Sequence, residues 1–166
     1  MKYKVAIVTM SDKGSLGQRV DESGPVIARM MEEWGEADIV AETLIPDDFE
    51  IIKKTLVSLC DDTKVDLILT TGGTGLSPRD ITPEATLAVS DRNVPGIAEY
   101  MRAKSFEITP KAMLSRAVSV MRGQTLIINL PGSPKAVREN LGFILPALGH
   151  GLEIMTGRGG ECGKSK

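Results

Sequence analysis

One stretch of the chain decides its fold: Val65-Asp66-Leu67-Ile68-Leu69-Thr70-Thr71-Gly72-Gly73-Thr74-Gly75-Leu76-Ser77-Pro78-Arg79-Asp80. It begins with a largely apolar run that is typical of a buried strand, and a glycine-rich turn follows directly. Because ligands of α/β sheets bind at the carboxyl ends of strands, this turn is a candidate binding site. A tight connection between two elements would show the same pattern, so the turn alone leaves both interpretations open.

The glycine turn has the chemistry of an anion site. Gly72, Gly73 and Gly75 carry no Cβ atoms, so their backbone can come close to a phosphate, and the Thr and Ser hydroxyls add donors. Asp80 lies just beyond the turn, and a carboxylate beside phosphates normally needs a divalent cation between them. The stretch therefore predicts metal-assisted phosphate chemistry.

Composition and charge narrow the class of protein. The chain has 166 residues, of which 42% are hydrophobic, and this length is sufficient for one buried core. A net charge of −2 and only 4% aromatic residues argue against nucleic acid as a partner, so we expect a small-molecule ligand. No stretch is long enough to span a membrane. Two cysteines without metal-ligand spacing, Cys60 and Cys162, favour a reducing cytoplasm.

Strand-like apolar runs alternate with helical patterns along the chain. Strands are predicted at residues 5–9, 39–44 and 65–70, followed by a hairpin or tight connection between residues 118–120 and 126–128. Helices are predicted over residues 25–34, from residue 51, from Thr82 as the N-cap, and over residues 135–154. The alternation predicts one α/β domain over residues 1–157, with a mostly parallel sheet covered on both faces, and a disordered tail over residues 158–166.

Polar turns follow the other predicted strands as well. The segment Asn129-Leu130-Pro131-Gly132-Ser133-Pro134 ends the last strand, and Ser133 can cap the next helix or donate to an anion there. Ser11-Asp12 follows the first strand, and Asp47-Asp48 follows the second, where it can also begin a helix favourably. Since the carboxyl ends of parallel strands share one edge, we expect these turns to converge on one pocket.

Together these motifs resemble a known family. They are, in chain order, Ser11-Asp12, Asp21-Glu22-Ser23-Gly24, Thr71-Gly72-Gly73-Thr74-Gly75, Arg79-Asp80, Thr82-Pro83-Glu84-Ala85-Thr86 and Asn129-Leu130-Pro131-Gly132-Ser133-Pro134. The set resembles the MogA/MoaB molybdopterin-binding family over the chain up to about Gly157. The resemblance implies a three-layer α/β/α fold, a homo-oligomer that is commonly a trimer, and adenylylation of molybdopterin by Mg-ATP during molybdenum cofactor biosynthesis. It also implies that the product passes to the molybdate-inserting enzyme.

The resemblance assigns roles to individual residues. Asp47 and Asp80 match the two carboxylates linked to catalysis, and both are candidate ligands of Mg²⁺. Binding of molybdopterin and ATP is expected from the turns at the strand ends: Ser11, Thr71, Gly72, Gly73, Thr74, Gly75, Ser77, Pro131, Gly132 and Ser133. The expected reaction requires alignment of two anions and no side-chain nucleophile.

Two other functions fit the same residues. One is a pterin-binding carrier or scaffold without turnover, and the other is a different phosphoryl or nucleotidyl transferase that uses a similar cradle. The presence of Asp47 and Asp80 favours catalysis over the carrier.

A further apolar segment concerns assembly. Residues 94–102, with Phe106, Ile108, Met113 and Leu114, carry more apolar side chains than a surface excursion usually needs. Packing inside the monomer explains them as well as an interface does. The trimers of the resembled family favour self-association through this region.

Overall fold

Six strands form one sheet in the computed structural model, which describes residues 1–158. The strands are β1 (Tyr3–Met10), β2 (Ala37–Ile45), β3 (Leu67–Thr71), β4 (Arg92–Asn93), β5 (Ser119–Arg122) and β6 (Thr125–Leu130). The α-helices are α1 (Asp12–Ser15), α2 (Ser23–Trp34), α3 (Phe49–Asp61), α4 (Thr82–Ala88), α5 (Pro95–Phe106) and α6 (Pro134–Thr156). A 3₁₀ helix covers Pro110–Leu114.

The sheet has the order β2-β1-β3-β6-β5-β4. The strands β2, β1, β3 and β6 are parallel, whereas β5 pairs antiparallel with both of its neighbours, β6 and β4. Thr71 is in register with Thr9 on one neighbour and with Leu130 on the other, and Met10 is in register with Ile45. Four carboxyl ends therefore lie along one edge, where a ligand of an open α/β sheet is expected.

Burial along the strands explains their positions in the sheet. All five residues of β3 are buried, as expected of a central parallel strand that is covered on both faces. The edge strand β2 instead alternates between more buried and exposed residues along most of its length.

The core is divided by the sheet into two layers. Ile7, Leu69 and Ile128 point into the layer that also contains buried residues of α2, α5 and α6. Their neighbours along the chain, such as Ile68 and Ile127, point into the layer beneath α3 and α4. This period-two alternation confirms the predicted three-layer α/β/α fold with a mostly parallel sheet.

Most predicted elements are confirmed, including the hairpin of β5 and β6 and the end of α2 at Gly35, which has a left-handed φ of +79°. The prediction of Thr82 as the N-cap is wrong. Helix α4 begins at Thr82, with Ile81 as the N-cap. The hydroxyl of Thr82 instead donates to the carbonyl of Gly72 at 3.0 Å. Four elements were not predicted: α1, β4, α5 and the 3₁₀ helix. The elements α1, β4 and the 3₁₀ helix have only two to five residues each, and α5 has apolar residues on both its buried and exposed sides.

The described chain ends shortly after α6. Arg158 donates to Asp66 Oδ1 at 3.1 Å and lies over the ring of Tyr3. The rest of the predicted tail, residues 159–166, lies outside the described residues. Within residues 1–158, no helix has the length and apolar character needed to cross a membrane.

Candidate active site

A polar cleft of about 560 Å³ opens at the edge where the four parallel strands end. The turns that follow β1, β2, β3 and β6 all contribute to its lining, together with the loop between α1 and α2. This confirms the expected convergence of the strand ends on one pocket.

The glycine turn after β3 is closely packed against its neighbours. Gly72 and Gly73 have left-handed φ angles of +94° and +69°. A Cβ atom on Gly72 would overlap the carbonyl oxygen of Met10, and one on Gly73 would overlap the hydroxyl of Thr82. Glycine is therefore required here for the backbone conformation as well as for the approach of a ligand.

The loops after β1 and β2 are joined by reciprocal hydrogen bonds. The N–H of Asp12 donates to Asp47 Oδ2 at 3.0 Å, and the N–H of Asp47 donates to Asp12 Oδ1 at 3.0 Å. Arg79, which precedes Asp80, donates from Nε and Nη2 to both oxygens of Asp12 at 2.9 Å. The hydrogen bond from Arg79 holds the pKa of the Asp12 carboxyl below its ordinary value. These contacts hold three loops together at the cleft.

One oxygen of Asp47 has no partner. Asp47 Oδ1 is buried and accepts no hydrogen bond from the residues that the structure describes. Burial raises the pKa of this carboxyl, the hydrogen bond from Asp12 opposes that rise, and the nearby charges of Asp12 and Asp80 add to it. An unsatisfied buried acceptor costs about 1–3 kcal/mol. Such an atom in a cleft indicates a place for a bound ion or ligand.

Asp80 is held in a short turn beyond the glycines. Its Oδ2 accepts from the N–H of Ser77 at 3.0 Å, and its N–H donates to the carbonyl of Ser77 at 2.9 Å. A Cβ atom on Gly75 would lie only 2.9 Å from Asp80 Oδ2. The absence of a side chain at Gly75 thus lets the carboxylate fold back toward the glycine turn.

The end of β6 is tied to the other strand ends by side chains. The hydroxyl of Thr71 donates to the carbonyl of Pro131 at 2.6 Å, and the hydroxyl of Ser23 donates to the carbonyl of Gly132 at 2.7 Å. Ser133 Oγ accepts from the N–H of Ala136 at 3.2 Å and caps α6. The N-terminus of this long helix consequently faces the cleft, where its positive end favours an anion.

The charges that line the cleft are unbalanced. Four carboxylates, those of Asp21, Glu22, Asp47 and Asp80, face one guanidinium, that of Arg19. Within residues 1–158, no group of three or more His, Cys, Asp or Glu side chains is arranged to hold a metal ion. The carboxylates of Asp47 and Asp80, with the unsatisfied Oδ1 of Asp47, nevertheless fit Mg²⁺. This ion takes few protein ligands and completes its shell with phosphate and water oxygens.

The structure brings eight of the predicted site residues to the cleft: Ser11, Asp47, Thr71, Gly72, Gly73, Asp80, Gly132 and Ser133. The other four lie outside its lining: Thr74, Gly75, Ser77 and Pro131. Their contacts hold the loops in place, as the bonds of Ser77 to Asp80 and of Pro131 to Thr71 show. Whether these residues bind substrate stays a prediction.

The sequence analysis counted Asp21-Glu22-Ser23-Gly24 and Arg79 among its motifs but assigned them no role at the site. Asp21 accepts from the hydroxyl of Thr9 at 2.8 Å and from the N–H groups of Ser23 and Gly24 at 3.0 and 3.1 Å. It thereby folds residues 16–22 beside the cleft. The available signals were the motif Asp21-Glu22-Ser23-Gly24 and the position of this loop after β1, at the same edge of the sheet.

Fold and site together define an α/β protein with a polar cleft at the carboxyl edge of its sheet. The chain matches the family described as "Probable molybdopterin binding domain" over residues 6–150. It is 46% identical to the molybdopterin adenylyltransferase of Haemophilus influenzae over 139 residues, which cover 83% of this chain and 71% of that protein. It is 45% identical to the molybdopterin adenylyltransferase of Escherichia coli K12 over 152 residues, with 89% and 76% covered.

A comparison with solved structures points to the same family. The molybdopterin biosynthesis enzyme MoaB of Thermus thermophilus is 49% identical, with a TM-score of 0.89 and coverage of 93% of this chain and 97% of that one. The chain belongs to the MogA/MoaB molybdopterin-binding family of molybdenum cofactor biosynthesis. The resemblance inferred from the sequence motifs is therefore confirmed.

Proposed function

We propose that this protein is a molybdopterin adenylyltransferase, which transfers AMP from ATP to molybdopterin and releases pyrophosphate. The observation that carries the proposal is the unsatisfied buried oxygen of Asp47, placed in one cleft with Asp80 and the glycine turn. The names of the relatives at 45% and 46% identity support the same activity.

The reaction needs two anions held in line. An oxygen of the terminal phosphate of molybdopterin forms a new bond to the α-phosphorus of ATP, and the bond from that phosphorus to the pyrophosphate oxygen breaks. The Gly72–Gly73 turn and the N-terminus of α6 at Ser133 supply backbone surfaces suited to phosphate groups. Holding the two reactants in this geometry accounts for most of the catalysis we assign to the chain.

The carboxylates have a separate role. Asp47 and Asp80 would hold Mg²⁺, which neutralises charge on the phosphate oxygens when it is bound. Without a cation, four carboxylates would oppose the entry of a polyphosphate into this cleft. The N–H of Asp12 binds Oδ2 of Asp47, and the N–H of Asp47 binds Asp12 in return. These bonds hold the Asp47 carboxylate in place and leave its Oδ1 for the cation.

A molybdopterin carrier without turnover is the second candidate. The family description that the chain matches names molybdopterin binding and no transfer reaction, which fits this candidate. Both functions require the cleft to bind molybdopterin, but only the transferase releases pyrophosphate.

An Asp80→Asn variant tests the transferase. The amide oxygen of Asn can still accept from Ser77, so the loop and molybdopterin binding should persist, whereas the charge needed for transfer is lost. We expect pyrophosphate release to fall by about 10²-fold or more, as it does on removal of other transition-state charge interactions. Molybdopterin affinity, measured by fluorescence titration, should be nearly unchanged.

Asp48→Asn is the matched control. Asp48 is the residue next to Asp47 and is the N-cap of α3. Like Asp80, it accepts a hydrogen bond from one backbone N–H, that of Ile51 at 2.9 Å. Asn is an equally good cap, so neither stability nor transfer should change. Pyrophosphate release by Asp80→Asn at the wild-type rate would refute the role of Asp80. A wild-type protein that binds molybdopterin and releases no pyrophosphate would identify the carrier.

We also propose that the protein works as a homo-oligomer, in keeping with the trimer implied by the family resemblance, and that it delivers its product to the molybdate-inserting enzyme in the cytoplasm. The apolar segment predicted as an interface is divided in the structure. Ala98 and Met101 are buried in the core, while Tyr100, Phe106 and Met113 are about half exposed or more. The exposed side chains support self-association through α5 and the following 3₁₀ helix.

A further inference from the structure

Arg116 joins two ends of the loop that carries Asp80. Its Nε donates to the carbonyl of Gly75 at 2.7 Å, and its Nη2 donates to the carbonyl of Asp80 at 2.6 Å. Its Nη1 pairs with Glu84 on α4. The backbone N–H of Arg116 also donates to the carbonyl of Thr74 at 2.9 Å.

The loop between these two carbonyls is otherwise held mainly by its own contacts. Ser77 and Asp80 bond to each other in both directions, and Leu76 at the tip is 65% exposed. The side chain of Arg79 reaches Asp12, but that pair is itself exposed to solvent. Among the residues that the structure describes, Arg116 is thus the one outside residues 75–80 whose side chain hydrogen-bonds to the backbone of this loop.

We propose that Arg116 is a positioning residue that sets the Asp80 carboxylate at the cleft by fixing the backbone on both sides of its loop. Its effect on turnover rests on the proposed adenylyl transfer, while its effect on the loop does not. Arginine suits this role because its planar guanidinium presents several donors in a rigid fork, which can serve two carbonyls and a carboxylate at once. A lysine ammonium would keep the charge without that geometry.

The expected effect on catalysis follows from the geometry of the link. Loss of the fork would let Asp80 move relative to the Asp47 side of the cleft, and a misplacement of about 1 Å costs about 10²-fold in rate. We expect Arg116→Gln to lower kcat by about that factor. The KM for ATP should change little, because Arg116 does not line the cleft.

Arg122→Gln is a matched control. Arg122 is likewise a partly exposed arginine that binds a carboxylate and a backbone carbonyl, those of Asp61 and Val89. Its contacts lie away from the cleft, so the variant measures the general cost of losing such a network. Arg116→Lys provides a milder change that keeps the positive charge.

Two measurements on the full-length protein test the proposal. Hydrogen exchange of the ligand-free protein, read by mass spectrometry, should show faster exchange of peptides covering residues 75–82 in Arg116→Gln and Arg116→Lys, but not in Arg122→Gln. Steady-state pyrophosphate release should show the loss of kcat in the same two variants.

The outcomes are distinguishable. Unchanged exchange over residues 75–82 in Arg116→Gln would overturn the proposal, and so would a loss of kcat no larger than that of Arg122→Gln. Wild-type kcat in Arg116→Lys would show that charge suffices, which also contradicts positioning by the fork. If the wild-type protein released no pyrophosphate, the proposed function would fail, and the exchange data alone would decide whether Arg116 anchors the loop.

Discussion

Replacing Gly73 by alanine tests whether the glycine turn is a structural requirement of the site. The new Cβ would overlap the hydroxyl of Thr82 and would lie 3.0 Å from Asp47 Oδ1. The backbone of residue 73 also has a φ of +69°, a value that residues other than glycine rarely adopt. We therefore expect loss of stability and loss of transfer together.

The magnitude has two parts. A left-handed conformation costs a residue with a side chain about 1–2 kcal/mol. Displacement of the Thr82 hydroxyl breaks its 3.0 Å hydrogen bond to the carbonyl of Gly72, which adds about 1–2 kcal/mol. The expected total of about 2–4 kcal/mol corresponds to a fall in Tm of roughly 5–15 °C for a chain of this size.

Urea denaturation of four variants, Gly73→Ala, Gly17→Ala, Thr82→Ala and the double variant of Gly73 and Thr82, separates the two parts. Gly17→Ala is the control, because Gly17 has a φ of +71° and no atom within 4 Å of an added Cβ. It should lose only the backbone part, about 1–2 kcal/mol. In the double variant Gly73→Ala with Thr82→Ala, removal of the hydroxyl should make room, so the two changes should cost less together than their sum.

A result in which Gly73→Ala and Gly17→Ala lose the same free energy of unfolding would refute the packing argument. Equal stability of Gly73→Ala and wild type, with unchanged pyrophosphate release, would show that the turn is only a connection between β3 and α4.

Three further predictions concern other parts of the molecule. Asn129 is fully buried and donates to the hydroxyls of Thr70 and Thr86 at 3.0 Å, so Asn129→Ala should lower the free energy of unfolding by about 2–4 kcal/mol in urea titrations. Burial raises the pKa of the Cys60 thiol to about 11, so iodoacetamide at pH 8 should label it only after unfolding. Because that pKa is raised, its contribution to stability is full below the unfolded value of about 8.5 and is lost as pH rises toward 11. Tyr100→Glu should dissociate the proposed oligomer, as measured by light scattering.

Each of these has a contrary outcome. Wild-type stability of Asn129→Ala would show that its hydrogen bonds contribute nothing net. Labelling of Cys60 in the folded protein at the unfolded rate, in a Cys162→Ser background, would contradict its burial. Leu87→Glu, on α4 and 44% exposed against 49% for Tyr100, should leave the mass unchanged. A monomeric wild type would refute the interface and leave the cleft unaffected.

Local patterns account for most of what could be predicted. The central strand β3 is buried on both faces, so its sequence is a nearly continuous apolar run. Helix α2 ends at Gly35 in a left-handed conformation, which glycine adopts easily. Helix α5 was missed for the converse reason. Its buried residues Ala98 and Met101 alternate with exposed Tyr100 and Phe106, so its periodicity is weak.

The sequence by itself determined the α/β class, the family and the turns that meet at the cleft, because these depend on residues close together in the chain and on the rule that parallel strands end at one edge. Only the tertiary structure decided how the turns are joined there. Arg79 and Asp12 are separated by 67 positions, and Asp12 and Asp47 by 35. Such contacts depend on the packing of loops whose spacing carries no periodic signal. The unsatisfied oxygen of Asp47 likewise becomes evident only when every neighbour has been placed.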